Sequence, residues 1–405
     1  MSASTSRGRA LYIGWLGFGN LGDDIMWQIF ADLARRLTPE YRVTPTLPGL
    51  DVGNLEPYDL VVLGGGSLIL PGYVDTLQRA LDLGKKAMVW GAGLDWHPRK
   101  VAETLLGEEE RLGPKGWAET AFGEGWPADA GPRPTLASPA FEKTMQAVIA
   151  RGAYAGVRGP LTRRLLIAAG ADPARVEVSG DPGILARPAD QSDASTGKST
   201  TTADQSDASS GKSTTTAGKS DASAGKSAAA GVVGVNWGTA YGRIYGGNEA
   251  GVEDELAAVG RELLRRGYRI RVFAVWGPDL PAAARLREKM GSPDRVSLVG
   301  PKQAAVVPAG SEFVIGLKLH ANVLAAAAGV PFVALGYRFK VLDFAASLGL
   351  QAFVVPTDAA DIAGAVLACV DRVRRERAGL TARLAEGRRL YAERLRAPFR
   401  AGLYS

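Results

Sequence analysis

Lys318 and His320 stand two positions apart in the run Val314-Ile315-Gly316-Leu317-Lys318-Leu319-His320-Ala321-Asn322. Apolar residues lead to Gly316, and a small-residue segment then runs to a Gly329-Val330-Pro331 stop. That pattern puts both side chains at the carboxyl end of a strand where a helix begins, the edge at which open parallel sheets bind ligands. Imidazole titrates near neutral pH and suits proton transfer, and a neighbouring ammonium attracts an anion. If the strand continues through them, the two side chains share a face; if the helix has begun, they diverge. The bland alternative for His320 is a core imidazole bonded to backbone. The chain has two histidines; the other, His97, lies in Trp96-His97-Pro98 and reads as a surface or packing residue.

More cations fall at neighbouring strand ends. Arg338 and Lys340 follow the strand Phe332–Leu335. Arg158 ends the strand Tyr154–Val157, with Pro160 placed to open the next helix. A guanidinium there is a fork for carboxylate or phosphate, with Asp181 as its candidate ion-pair partner instead. Glycine turns end other strands. Gly17-Phe18-Gly19-Asn20-Leu21-Gly22 has dinucleotide-loop spacing, but no acidic residue ends the next strand, Thr44–Leu47. Asp23 and Asp24 lie in the first turn of the following helix, where they complement its positive end and repel a pyrophosphate. A neutral, hydroxyl-rich ligand suits that turn, with Asn20 as helix cap the structural alternative. Gly64-Gly65-Gly66-Ser67 and Gly91-Ala92-Gly93 let a ligand approach the backbone closely.

The elements that must position these residues alternate. Strands Leu11–Trp15, Leu60–Leu63, Ala87–Trp90, Tyr154–Val157 and Val176–Ser179 alternate with helices near 22–37, 74–83, 141–150 and 160–169. A second series follows: strands Val232–Asn236, Tyr268–Val275, Val296–Val299, Phe313–Leu317, Phe332–Leu335 and Ala352–Val355, with helices 253–266, 281–290, 319–328 and 341–348, then a long helical tail. The fold class is therefore α/β: two Rossmann-like, doubly wound domains, residues 1–188 and 232–405, facing a cleft. Residues 94–136 interrupt the rhythm as a lid-like insertion, placed on the acceptor side.

With 405 residues, 46% hydrophobic and 22% charged, the chain is a soluble globular protein long enough for two cores. One cysteine, Cys369, excludes an internal disulfide, and no Cys/His cluster is available for a metal. No signal peptide or membrane span is expected, and the cytoplasm is the default compartment. The net charge of +6 concentrates between Arg372 and Arg400. Without interleaved stacking aromatics this is a solvated helix face or a peripheral membrane contact, not a nucleic-acid surface. Residues 189–231 carry near-copies of Ala-Asp-Gln-Ser-Asp-Ala-Ser and read as a disordered linker. Their Gly-Lys-Ser-Thr repeats lack the earlier glycine and preceding strand of a phosphate loop.

Taken together, these motifs resemble the polysaccharide pyruvyl transferase family. Gly17–Asp24, Gly64–Ser67, Val157–Leu161, Gly180–Pro182, Val314–Pro331 and Tyr337–Lys340 match its motifs in order. Lysine stands at 318 where the family usually has arginine, and Arg338-Phe339 replaces its common Asp-Pro. The resemblance implies a fold similar to B-type glycosyltransferases. It also implies transfer of a pyruvyl group from phosphoenolpyruvate to two hydroxyls of a sugar in a cell-surface polysaccharide or a lipid-linked precursor, giving a ketal. No cofactor is implied beyond that donor. On this reading His320 and Asp23 are catalytic, and Arg158, Lys318, Arg338 and Lys340 bind the donor. Gly19, Asn20, Gly22, Asp24, Gly65, Gly66 and Ser67 face the acceptor. A nucleotide-sugar glycosyltransferase and a non-catalytic glycan-binding relative are the alternatives.

Overall fold

The computed structural model describes residues 8–48, 52–107, 125–187 and 231–403. The repeat linker and the centre of the 94–136 insertion lie outside the described residues. Strands β1 (Gly8–Ile13), β2 (Tyr41–Pro45), β3 (Leu60–Leu63), β4 (Lys86–Ala92), β5 (Tyr154–Val157) and β6 (Glu177–Val178) form one parallel sheet in the order β2-β1-β3-β4-β5-β6. Strands β7 (Val232–Asn236), β8 (Arg269–Phe273), β9 (Val296–Val299), β10 (Phe313–Gly316), β11 (Phe332–Gly336) and β12 (Val354–Pro356) form the second, also parallel, in the order β12-β11-β10-β7-β8-β9. Central strands such as Leu60–Leu63 and Phe313–Gly316 are buried throughout, as helices on both faces require. Both domains are thus Rossmann-like, and together they face a cleft.

In each sheet the strand order reverses direction once, between β1 and β3 in the first and between β7 and β10 in the second. Neighbouring connections leave a switch point on opposite faces, which opens a crevice at the strand ends. The loops after these four strands carry the glycine turns, the β7 loop and the Lys318–His320 segment, so the crevices of the two domains face one another.

Two findings go beyond the sequence expectations. Residues 94–136 begin with a helix, Arg99–Leu106, that buries Val101, Ala102 and Leu105; its apolar spacing is legible only once the surrounding loop is set aside. The last helix, Ile362–Arg400, does not stay with the second domain. Its final turns enter the first domain's core, where Trp90 Nε1 donates to the Leu395 carbonyl at 2.9 Å and Phe399 lies 5.1 Å from the Phe30 ring.

A polar clamp also joins the domains. Asp343, on the helix Phe339–Ser347 of the second domain, accepts from Leu161 N at 2.9 Å, Thr162 N at 3.0 Å and Thr162 Oγ1 at 2.7 Å. These groups open the first-domain helix Pro160–Ala168, whose own cap residue, Gly159, has no side chain to offer. A Cβ at 159 would collide with Asp343. One domain therefore caps a helix of the other.

Candidate active site

The facing crevices enclose a pocket of about 400 Å³, within the size range of small-molecule sites. Asn20, Asp23, Gly66 and Ser67 come from the first domain, and Lys318, His320, Arg338 and Lys340 from the second. Asn20 caps the helix Leu21–Leu37, its side chain accepting from Gly22 N at 3.1 Å. Leu21 N donates to the Val275 carbonyl at 3.1 Å, and Trp276 Nε1 donates to the Phe18 carbonyl at 2.9 Å. The other domain therefore already occupies donors and acceptors of the glycine loop, and Asp23 and Asp24 fill the helix's first turn. This is why dinucleotide spacing does not make a pyrophosphate cradle here.

Strand β10 ends at Gly316, and Lys318 is the N-cap of the helix Leu319–Ala327. The helix has begun, so Lys318 and His320 diverge within one pocket. His320 points at the first domain, where its imidazole packs on Gly22; a Cβ there would overlap the ring. His320 Nε2 is sealed from solvent and has no hydrogen-bond partner. Burial, then the charges of Lys340 and Arg158, push its pKa down to about 3, so it is neutral at pH 7. Asp23, next in sequence to Gly22, is 7% exposed. Burial pushes its carboxyl up to about 8, the pull of Lys340 being outweighed once Asp24 and Asp181 add their repulsion. Burial thus moves the two groups in opposite directions, the carboxyl's pKa up and the imidazole's down, within one pocket.

The cations are held in place by carboxylates. Lys318 Nζ lies 3.1 Å from Asp279 and donates to the Thr239 carbonyl at 2.6 Å. Its backbone N donates to Asn236 Oδ1 at 2.8 Å. Lys340 Nζ and Arg338 Nη1 lie 2.9 and 3.2 Å from Asp95. Burial opposes the charge of Asp95, but Lys340 and Arg338 overrule it and hold the acid at about 2. Arg243, 3.8 Å from Asp95 and largely exposed, adds a further cation to the wall. Such pairing fixes the ammonium and guanidinium groups before any ligand arrives.

Arg158 is not on this wall. It has no exposed surface. Its guanidinium donates to the carbonyls of Leu94 at 2.6 Å and Gly66 at 3.3 Å and to Ser67 Oγ at 3.4 Å, and Nε lies 3.6 Å from Asp343. The donor-binding role expected of it is replaced by a supporting one: it braces the triple-glycine turn against the interdomain clamp. Its ion-pair partner is Asp343 rather than Asp181. Gly65 is packed beneath Met26 and Pro182, whereas Gly66 needs its φ of +107° to bring the turn to the pocket. Gly19 has a φ of +66° in the preceding turn, and Asp24 lies off the pocket wall. Sequence reasoning missed Asp95, Thr239, Arg243, Trp276 and Asp279. Asp95, Thr239, Arg243 and Trp276 lie in loops that follow strands, and Asp279 ends the short 3-10 turn Gly277–Asp279. The signal available was an acid two residues after Gly93 and after Gly277.

The family model described as Polysaccharide pyruvyl transferase matches residues 20–338. No curated protein matches the chain in sequence. Among solved structures, the chain is similar to the UDP-GlcNAc 2-epimerase from Neisseria meningitidis bound to UDP-GlcNAc, at 9% identity and TM-score 0.54, covering 98% of this chain and 100% of that one. It is also similar to a putative UDP-N-acetylglucosamine 2-epimerase from Listeria monocytogenes, at 12% identity and TM-score 0.52, covering 96% and 93%. At these identities the likeness concerns the two-domain fold alone. The match of the family model across most of the chain, from the capping Asn20 to the pocket's Arg338, places this protein in the polysaccharide pyruvyl transferase family.

Proposed function

We propose that this transferase moves a pyruvyl group from phosphoenolpyruvate to two hydroxyls of a sugar in a cell-surface polysaccharide or its lipid-linked precursor. The observation that carries the reading is that Asp23 and His320, from opposite domains, line one pocket with the cations Lys318, Arg338 and Lys340. The cations receive the donor's carboxylate and phosphate. Asp23 delivers its proton to the donor's methylene carbon, which becomes the ketal methyl group and leaves the central carbon electrophilic. His320 accepts the proton of the attacking sugar hydroxyl. The carbon–oxygen bond to phosphate then breaks, and the second hydroxyl closes the ring while its proton leaves with phosphate. Bound anions shield His320 from Lys340, which makes it a stronger base when the donor is present.

A lipid-linked acceptor would bring the chain to an anionic surface. The Ile362–Arg400 helix offers Arg388, Arg396 and Arg400 to it, and these sit close enough that repulsion adds to burial in lowering the Arg396 pKa. Binding to anionic vesicles that persists after substitution of all three by glutamine would remove that contact.

The deciding experiment measures phosphate release from phosphoenolpyruvate as a function of added sugar acceptor, with the ketal identified by mass spectrometry. Acceptor-dependent release is expected. Release of a nucleoside diphosphate from a nucleotide sugar, with none from phosphoenolpyruvate, would overturn the reading.

A further inference from the structure

We propose that the mouth of the pocket is a second sugar subsite, an aromatic shelf that holds the ring adjoining the one being modified. It rests on the reading that the acceptor is a glycan, and it narrows the substrate to an oligosaccharide. Four rings form a continuous row across the domain boundary. Phe18 stacks on Trp15 with centroids 5.1 Å apart, Trp15 meets Trp276 at 5.4 Å, and Trp276 meets Tyr241 at 6.2 Å. Two come from the loop after β1 and two from loops of the second domain. Trp15, Trp276 and Tyr241 line the same pocket as His320 and Lys318.

The row is open where a core would be closed. Phe18 is 50% exposed and Tyr241 66%. Large apolar surface left uncovered at the rim of a polar pocket marks a place where something binds. The loop spends energy to keep Tyr241 there. Its φ is +54°, a left-handed conformation unfavourable for a tyrosine. Polar bonds hold the turn in that shape: Tyr241 N donates to Thr239 Oγ1 at 3.1 Å, and Ala240 N and Gly242 N donate to Glu249 at 3.1 and 3.0 Å. Trp276 is fixed by its bond to the Phe18 carbonyl.

The occupant is identified by shape and polarity. A pyranose has a face of C–H groups, which suits the electron-rich face of an aromatic ring, and a rim of hydroxyls. Lys318, 5.9 Å from the Trp276 centroid, and Asn20 and Thr239 on the adjoining wall can meet that rim. A flat nucleobase would want parallel faces on either side. Trp15 and Trp276 are inclined at 60° and Trp276 and Tyr241 at 70°, so the row has successive tilted facets, which a chain of linked sugar rings can follow.

The test uses the full chain and the variants Phe18→Ser and Tyr241→Asn, alone and combined. Asparagine tolerates the left-handed backbone, so the loop is preserved. The probes are methyl glycosides of glucose, galactose and mannose and the matching di- and tetrasaccharides, titrated by tryptophan fluorescence without phosphoenolpyruvate. The wild type is expected to bind at least one disaccharide about 10-fold more tightly than its monosaccharide, and the double variant to lose that gain. Absence of any length dependence, equal weakening for short and long ligands, or displacement of the sugar by uridine would overturn the shelf. Length-dependent binding without phosphate release would leave the shelf standing and remove the reaction. Phosphate release equally efficient with short and long acceptors would do the reverse.

Discussion

The imidazole of His320 occupies the space that any side chain at position 22 would need. A glycine in the first domain thereby sets where the histidine of the second domain stands. Gly22→Ala should leave the helix Leu21–Leu37 intact, since alanine is the better helix former by about 1 kcal/mol. The added methyl should displace the ring and lower kcat about 10²-fold, because misplacement of a reacting group by about 1 Å costs that much. Circular dichroism checks the fold and steady-state kinetics the rate; undiminished turnover would show that His320 does not act from this position.

Asp23 ties rate and stability to pH in one direction. Its folded-state pKa of about 8 exceeds the ordinary 3.8, so the folded chain holds this proton more tightly than the unfolded chain. Its stabilising contribution is full below the ordinary value and is lost as pH rises through the folded one. Asp23→Asn should therefore be more stable than wild type at pH 8, by about 1–3 kcal/mol in urea denaturation. It should also be about 10²–10⁴-fold slower. The wild-type kcat/KM should fall above about pH 8, and the residual activity of Asp23→Asn should lack that limb.

His320 carries the opposite sign. The unfolded chain takes up its proton near the ordinary value of 6.5, while the folded chain does so only near 3. Stability is lost as pH falls across that window. His320→Gln should show a shallower loss between pH 7 and pH 4 by denaturant midpoint, together with a rate reduction of about 10²–10⁴-fold. A loss as steep as that of the wild type would assign the acid sensitivity to other groups.

Lys318 is paired with Asp279, which is wholly buried. Lys318→Met removes the ammonium and leaves that carboxylate uncompensated, which should cost about 3–5 kcal/mol in stability. The double variant Lys318→Met with Asp279→Leu should recover most of the stability and none of the donor affinity. Thermal denaturation and the KM for phosphoenolpyruvate separate the two effects. Recovery of donor affinity in the double variant would contradict a donor-binding role for Lys318.

Most of the alternation of strands and helices was legible because buried parallel strands read as unbroken apolar runs, and Val232–Asn236 and Val296–Val299 have the bounds expected of them. Element ends set by polar caps were less so. The helix expected from residue 253 begins at Glu249, because Asn248 accepts from Gly251 N four residues ahead of the apolar face. In the site, Lys318, His320, Arg338 and Lys340 were legible as unusual residue types just after strand ends, and Asp23 as an acid in the first turn of a helix. Arg158 has the same local signature but a different fate, since burial is decided by the packing of residues distant in sequence. Asp95 and Asp279 carry only a weak local mark, an acid shortly after a glycine; what distinguishes them is the cation each meets across a loop.

The Asp343 clamp has a consequence for how the two halves depend on the peptide chain between them. Its bonds to Leu161 and Thr162 and the docking of Phe399 beside Phe30 are contacts that need no covalent continuity. Each half supplies what the other leaves unfinished: a helix cap in one direction, and in the other a groove for a helix that the second domain cannot bury alone. Residues 1–188 and 232–405, produced as separate chains, should therefore associate when mixed, which size-exclusion chromatography checks. The fit of the cleft is set by the two surfaces themselves.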